Sequence, residues 1–227
     1  MKATVFTLNL GREYDTDVTD LTYPLMKQWA HKIGADFYEI TERKFPEWPA
    51  SYEKLQIYQL GQEMKNEWNI FIDCDALINP DLMDMTQHIP RDTVAHNGSD
   101  LATIRWKYDR FFMRDGRHIG SATWFCMASD WCIELFKPLD DMTPEQVADS
   151  IFPMNHELKT GMTSIRLVED YVMSRNIAQY GLKFITFQEI YKKYGFEQGY
   201  FVCHAYAMAP EQKLETLKNA LKGWGLM

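Results

Sequence analysis

The 227-residue sequence reads as an α/β protein whose mixed, mostly parallel sheet is flanked by helices. Through the first half, short apolar or alternating runs take turns with segments of helical period. That β-α-β-α-β order demands crossover connections, and crossovers join parallel strands. Apolar residues make up 46 % and charged residues 25 %, which suits an ordinary folded chain and excludes a disordered one. The length fits one domain, 1–227, with a large core.

Each element follows from local pattern. Ala3 to Leu8 is a strand-like run. A loop with Gly11, Asp15 and Asp17 follows, and Asp20 is placed to cap a helix in which Leu25, Trp29 and Ile33 recur at a spacing of four. Pro24 is expected in the first turn, where a missing N–H costs nothing, and Gly34 ends the helix. Asp36 to Thr41 alternates as a strand. Beyond a loop rich in Pro and Trp, Ile57, Leu60, Gly61 and Met64 share the face of a second helix. Asn69 to Asp73 is a short buried strand. Later strands are expected at Thr93–His96, Ser121–Met127, Lys183–Phe187 and Tyr200–His204. Helices are expected at Asp130–Phe136, Pro144–Ile151, Val168–Tyr180 and Glu211–Lys222.

Bulk properties exclude several classes. The net charge of −8 comes without a basic cluster, so no nucleic acid partner is expected. Cys74, Cys126, Cys132 and Cys203 form no CxxC pair, which excludes a zinc finger and suits free thiols in a reducing compartment. No apolar run is long enough for a membrane span, and the first residues lack a signal-peptide layout. A cytoplasmic location is the expectation.

The strongest chemical signal is Ile70-Phe71-Ile72-Asp73-Cys74-Asp75-Ala76-Leu77-Ile78. Residues two apart on a strand share a face, so Asp73 and Asp75 are expected side by side where a buried strand ends. Ligands of open α/β sheets bind at that end. Two carboxylates ~4 Å apart repel by about 4 kcal/mol at an effective dielectric near 20. They need a proton, a cation or a metal, and hard oxygen donors suit Mn²⁺ or Mg²⁺. The plain alternative is a loop after a strand, with Asp75 opening a turn toward Asn79-Pro80.

The stretch Lys54 to Asp81 (KLQIYQLGQEMKNEWNIFIDCDALINPD) resembles the DxD segment of GT-A glycosyltransferases, in particular glycogenin-like and galactosyl- or mannosyltransferase families. Tyr23 to Thr41 resembles their first helix and second strand, and the similarity runs loosely to the C-terminus. The resemblance implies a GT-A, Rossmann-like fold with a nucleotide-sugar-binding half at about 1–90 and an acceptor half at about 91–227. It implies a hexose moved from a nucleotide-diphosphate sugar, a UDP-sugar by expectation, to a glycan, protein or small-molecule acceptor, with retention. Asp73 and Asp75 would bind the metal, and His204, at the end of an apolar strand, would be its third ligand. The family follows this His with a Gly and a phosphate-gripping Lys. Here Ala205-Tyr206-Ala207-Met208 follows, and Lys213 is a distant candidate.

By the same resemblance, Lys54 faces the diphosphate, though a solvated helix lysine is the plain alternative. Thr7, Asn9 and Tyr14 are base and ribose candidates or ordinary loop residues. Ser121 lies in the small-residue segment Arg117–Phe125 that would line the sugar pocket. Asp170, with Glu169 as runner-up, would face the donor sugar; acids also favour a helix N-terminus without any such role.

Three other readings compete. A haloacid-dehalogenase-type phosphatase also carries DxD, but on its first strand and with a Thr or Val where this chain has Leu77. A nucleotidyltransferase would want more glycine than Leu10-Gly11-Arg12-Glu13 supplies. A non-catalytic sugar-nucleotide or carbohydrate-binding protein would share the motif without turnover.

Overall fold

The computed structural model describes residues 1–10, 16–97, 123–151, 159, 163–206 and 208–227. Six strands form the main sheet, in the order β2-β1-β3-β6-β5-β7. They are β1 (Ala3–Leu8), β2 (Asp36–Ile40), β3 (Trp68–Ile72), β5 (Thr93–His96), β6 (Phe125–Ser129) and β7 (Lys183–Thr186). β1 pairs in parallel with β2 and β3, and β5 with β7. β6 runs antiparallel to both its neighbours. The sheet is therefore mixed and mostly parallel, as expected.

Both faces are covered, which explains why the central strands read as continuous apolar runs. Phe6 and Phe71 point into one core with Leu55, Tyr171 and Val172. Their neighbours Val5, Ile70 and Ile72 point into the other with Trp29 and Met26 of helix α1 (Thr16–Lys32). Helix α2 (Ile57–Glu63) lies very close to β3, because Gly61 leaves room for Asn69: a Cβ there would sit 2.3 Å from the Asn69 Oδ1.

Beside the main sheet, β4 (Ala76–Ile78) and β8 (Val202–His204) form a two-stranded antiparallel ribbon. Its register sets Ala76 opposite His204. Leu77 of the ribbon packs against Val18 of α1 and against Leu217 and Leu221 of helix α7 (Pro210–Gly223). Asn79 ties the ribbon to the short helix α6 (Gln198–Phe201), accepting from the Asp81 N–H and donating to the Tyr200 and Phe201 carbonyls. Among the described residues the remaining α-helices are α3 (Pro144–Ala148), α4 (Val168–Gln179) and α5 (Phe187–Lys193).

Several elements differ from expectation. α1 already runs at Thr16, so Asp20 lies inside it and Pro24 is interior. Both residues are on the exposed side, where water takes over the Asp20 carbonyl that Pro24 cannot bond. The turn before α2 is a 3-10 helix, Ala50–Gln56, that begins just after Pro49. Phe187 starts a helix instead of ending a strand, because Thr186 and Glu189 form a capping box. Likewise Tyr200 and Phe201 belong to α6, and β8 is only three residues long.

Candidate metal and donor site

A cleft of about 910 Å³ opens where β1 and β3 end. Asp73 and Asp75 lie on its wall, but not through strand alternation. They sit in the turn between β3 and β4, closed by the Ala76 N–H donating to the Asp73 carbonyl at 3.0 Å. Two further bonds hold this turn. The Asp73 N–H donates to the Trp124 carbonyl at 2.8 Å, and the Thr22 hydroxyl donates to the Cys74 carbonyl at 2.6 Å.

His204 arrives from the other strand of the ribbon. Its Nε2 lies 3.1 Å from Asp75 Oδ1 and 3.6 Å from Asp73 Oδ2. The Trp124 ring stacks on the imidazole with centroids 4.7 Å apart and fixes its plane. One donor atom each from Asp73, Asp75 and His204 lie within 4.8 Å of one another. Two carboxylates and an imidazole fit a small divalent cation, and the nitrogen donor suits Mn²⁺ better than Mg²⁺. Lys213, from the first turns of α7, donates to the second oxygen of Asp75. Burial alone would raise the Asp75 carboxyl, but His204 and Lys213 outweigh it and hold it down at about 2.

The inner end of the cleft is a second charge cluster. The Lys54 ammonium is almost fully buried, over the face of Phe71 at 4.6 Å. It lies 3.5 Å from Asp73 Oδ1, 3.8 Å from Glu169 Oε1 and 3.3 Å from the Thr123 hydroxyl. Burial opposes its charge, yet Asp73, Glu169 and Asp170 together keep it above the ordinary lysine range. The Thr123 hydroxyl donates to Asp170 at 2.9 Å, and the Ser51 hydroxyl to Glu169 at 2.8 Å. Burial pushes the Glu169 carboxyl up, against the pull of Lys54.

The structure thus brings Asp73, Asp75, His204 and Lys54 together. Glu169 lines the cleft, whereas Asp170 lies behind it on Thr123. Lys54 is turned onto the carboxylates and is not a solvated lysine. From the end of β1 and just beyond it the cleft takes Leu8 and Leu10. Thr7 is fully buried, and neither its hydroxyl nor Asn9 Oδ1 has a partner among the described residues. The Asn9 amide donates to Glu39 at 3.1 Å. Tyr14 and Ser121 lie outside the described residues. Pattern reasoning missed Ser51 and Arg166, a cleft-lining residue on the 3-10 turn before α4, and singled out Thr123 and Trp124 only as members of the segment Arg117–Phe125. None carries a local signal, because each reaches the site through tertiary packing.

The fold is that of the GT-A glycosyltransferases. A glycosyltransferase involved in glycosylation of the major capsid of PBCV-1 superposes with a TM-score of 0.54 at 10 % identity, covering 96 % of this chain and 100 % of that one. A Drosophila β-1,4-galactosyltransferase 7, solved with manganese, UDP-galactose and xylobiose, superposes with a TM-score of 0.52 at 9 % identity, covering 91 % and 71 %. No protein-family model and no curated protein sequence matches the chain.

Proposed function

We propose that the protein is a metal-dependent glycosyltransferase that moves a hexose from a UDP-sugar to a glycan, protein or small-molecule acceptor. The observation that carries this reading is the convergence of Asp73, Asp75 and His204 at the mouth of a cleft in a GT-A fold. The Drosophila neighbour's manganese and UDP-galactose support the choice of ion and of nucleotide.

Asp73, Asp75 and His204 would hold the cation, which supplies positive charge against a nucleotide diphosphate. The reaction breaks the bond from the anomeric carbon to a diphosphate oxygen and joins that carbon to an acceptor hydroxyl oxygen, whose proton passes to the departing diphosphate. Negative charge grows on the departing diphosphate, and we set Lys213, which lines the cleft beside Asp75, against it. Lys54 positions Asp73 and Glu169. Of the two acids at the start of α4, we set Glu169 against the donor sugar and give Asp170 a supporting role through Thr123. Leu8 and Leu10, which line the cleft, stand nearest the nucleoside end, whereas the buried Thr7 hydroxyl and Asn9 carbonyl do not line it. Residues up to about 90 form the donor half and the rest the acceptor half of one domain. Four free cysteines suit a cytoplasmic location, and no helix among the described residues is long and apolar enough to cross a membrane.

The test is calorimetric titration of UDP, GDP and their common sugars, with and without Mn²⁺, followed by an assay for released nucleotide. Mn²⁺-dependent binding of UDP and slow release from one UDP-sugar are expected. Absence of nucleotide binding in both conditions sinks the reading. Retention, implied by the sequence resemblance, is checked by the proton NMR coupling at the new anomeric centre.

A further inference from the structure

We propose that Trp124 is the positioning residue of the metal centre. Its carbonyl holds the turn that carries Asp73, and its indole ring holds the His204 imidazole, so that ligands from distant parts of the chain are aimed at one ion. The inference rests on the metal centre of the proposed glycosyltransferase.

Both holds follow from where β6 begins. Phe125 pairs with Ile72 at the end of the antiparallel β3–β6 ladder. One step further, the Asp73 N–H donates to the Trp124 carbonyl at 2.8 Å, and the turn with Asp73 and Asp75 starts from that bond. The side chain of the same residue reaches the ribbon. Its ring lies against the His204 imidazole, with centroids 4.7 Å apart and 26° between the planes. Behind it the indole packs on the core that contains Phe125, whose ring centroid is 6.1 Å away. The platform under the imidazole is therefore anchored in the body of the fold.

The imidazole needs that platform. The β4–β8 register sets where the His204 backbone stands, opposite Ala76, but not how the ring is turned. The ring rotates about two side-chain bonds, and only one orientation aims the Nε2 lone pair at an ion between Asp73 and Asp75. Without metal, Asp75 Oδ1 helps to hold the ring at 3.1 Å. With metal, that carboxylate and Nε2 both turn to the ion, and this hold is given up. The Trp124 stack touches the face of the ring and leaves its nitrogens clear, so it serves both states. Tyr206 is the other ring beside His204 among the described residues, but it is farther away at 5.8 Å and tilted by 40°. Groups that orient a metal ligand typically change metal affinity by about 10- to 100-fold when removed.

The experiment measures Mn²⁺ binding by electron paramagnetic resonance in the wild type, Trp124→Leu and Trp124→Phe. It then repeats Trp124→Leu in a His204→Ala background, with the thermal midpoint of every variant recorded. Trp124→Leu is expected to bind Mn²⁺ about tenfold more weakly or worse. Trp124→Phe keeps a ring on the imidazole and should stay within about threefold of wild type. With His204 gone, Trp124→Leu should change the affinity by less than about twofold, because its effect runs through that ring. A second measurement needs no ion. In the metal-free wild type, the indole ring current should move the His204 ring-proton NMR signals upfield of those of the other histidines, the signals being assigned by their loss in His204→Ala. No loss of affinity in Trp124→Leu, or the same loss in both backgrounds, overturns the positioning role and leaves the metal centre intact. His204 signals at ordinary positions overturn the stack whether or not any Trp124 variant folds. A wild type that binds no Mn²⁺ overturns the metal centre and the positioning role together.

Discussion

The two ends of the cleft hold their charges in different ways. At the inner end, Lys54, Asp73, Glu169, Asp170 and Thr123 form a buried network in which each member is fixed by another. At the outer end, Asp75, His204 and Lys213 meet across a short ribbon and the first turns of a helix, with the imidazole and the ammonium on one carboxylate. The inner network is built to stay in place and the outer cluster to exchange partners. A buried charge is costly to leave unpaired, so the inner cluster couples to stability. The outer cluster is buried as well, and should couple to stability and to ligand binding together.

The largest effect is expected at the outer end. Asp75→Asn removes one of the two carboxylates that would hold the cation, and leaves His204 and Lys213 without their shared acceptor. Mn²⁺-dependent release of nucleotide from a UDP-sugar should fall by about 10³-fold, and the urea midpoint should fall too, because Asp75 is buried and paired with His204 and Lys213. Nucleotide release that survives this change would remove Asp75 from the metal site. Retained Mn²⁺-independent ligand binding would favour a non-catalytic binder.

Next comes the inner end. Lys54→Met keeps the stem over Phe71 but leaves Asp73, Glu169 and Asp170 without their buried cation. Unfolding in urea should show a loss of about 3 kcal/mol, the scale of breaking a buried ion pair from one side. A stability loss below ~1 kcal/mol would mean that water reaches the inner cluster, and the contrast between the ends would fail.

How much of this was legible in the sequence follows the same division. The strands of the first half of the chain were legible because they are buried on both faces or alternate, and both patterns are local. The proximity of Asp73 and Asp75 was legible, but for the wrong reason. They converge through a turn closed between Asp73 and Ala76, not through the pleat of a strand. His204 reaches Asp75 only because β8 pairs with β4 in a register that sets His204 opposite Ala76. That pairing spans more than a hundred residues, so only the family resemblance pointed to it. Lys213 stands nine residues beyond His204, and only the packing of α7 against the ribbon brings it back. Glu169 and Asp170 are adjacent in sequence, and nothing local says which one faces the cleft.

That last ambiguity makes the third prediction. Glu169→Gln should lower turnover by about 10²-fold with UDP binding unchanged, if the group that lines the cleft meets the donor sugar as proposed. Asp170→Asn should act only through Thr123 and cost a few-fold, on the order of one hydrogen bond to a charged group. Equal losses in both variants would mean that the two acids act as one unit with Lys54. A larger loss in Asp170→Asn would restore Asp170 to the sugar.

The smallest effect is expected from a charge pair outside the cleft on the same helix as Glu169. Arg175 of α4 grips Asp141 with two guanidinium nitrogens, and Asp141 is well exposed. The guanidinium holds the Asp141 carboxyl below its ordinary value. A carboxyl with a depressed folded-state pKa contributes stability above its unfolded value and loses it as pH falls through the folded one. Arg175→Ala should therefore cost less than about 1 kcal/mol at neutral pH. The difference from wild type should vanish in acid, below the depressed value. Urea unfolding of the two proteins across that pH range measures both points. If this solvated pair cost as much as Lys54→Met, charge pairing alone would explain the inner cluster, and burial would drop out of the argument. A small loss that fades in acid assigns the greater cost at Lys54 to the carboxylates left unpaired around a buried position.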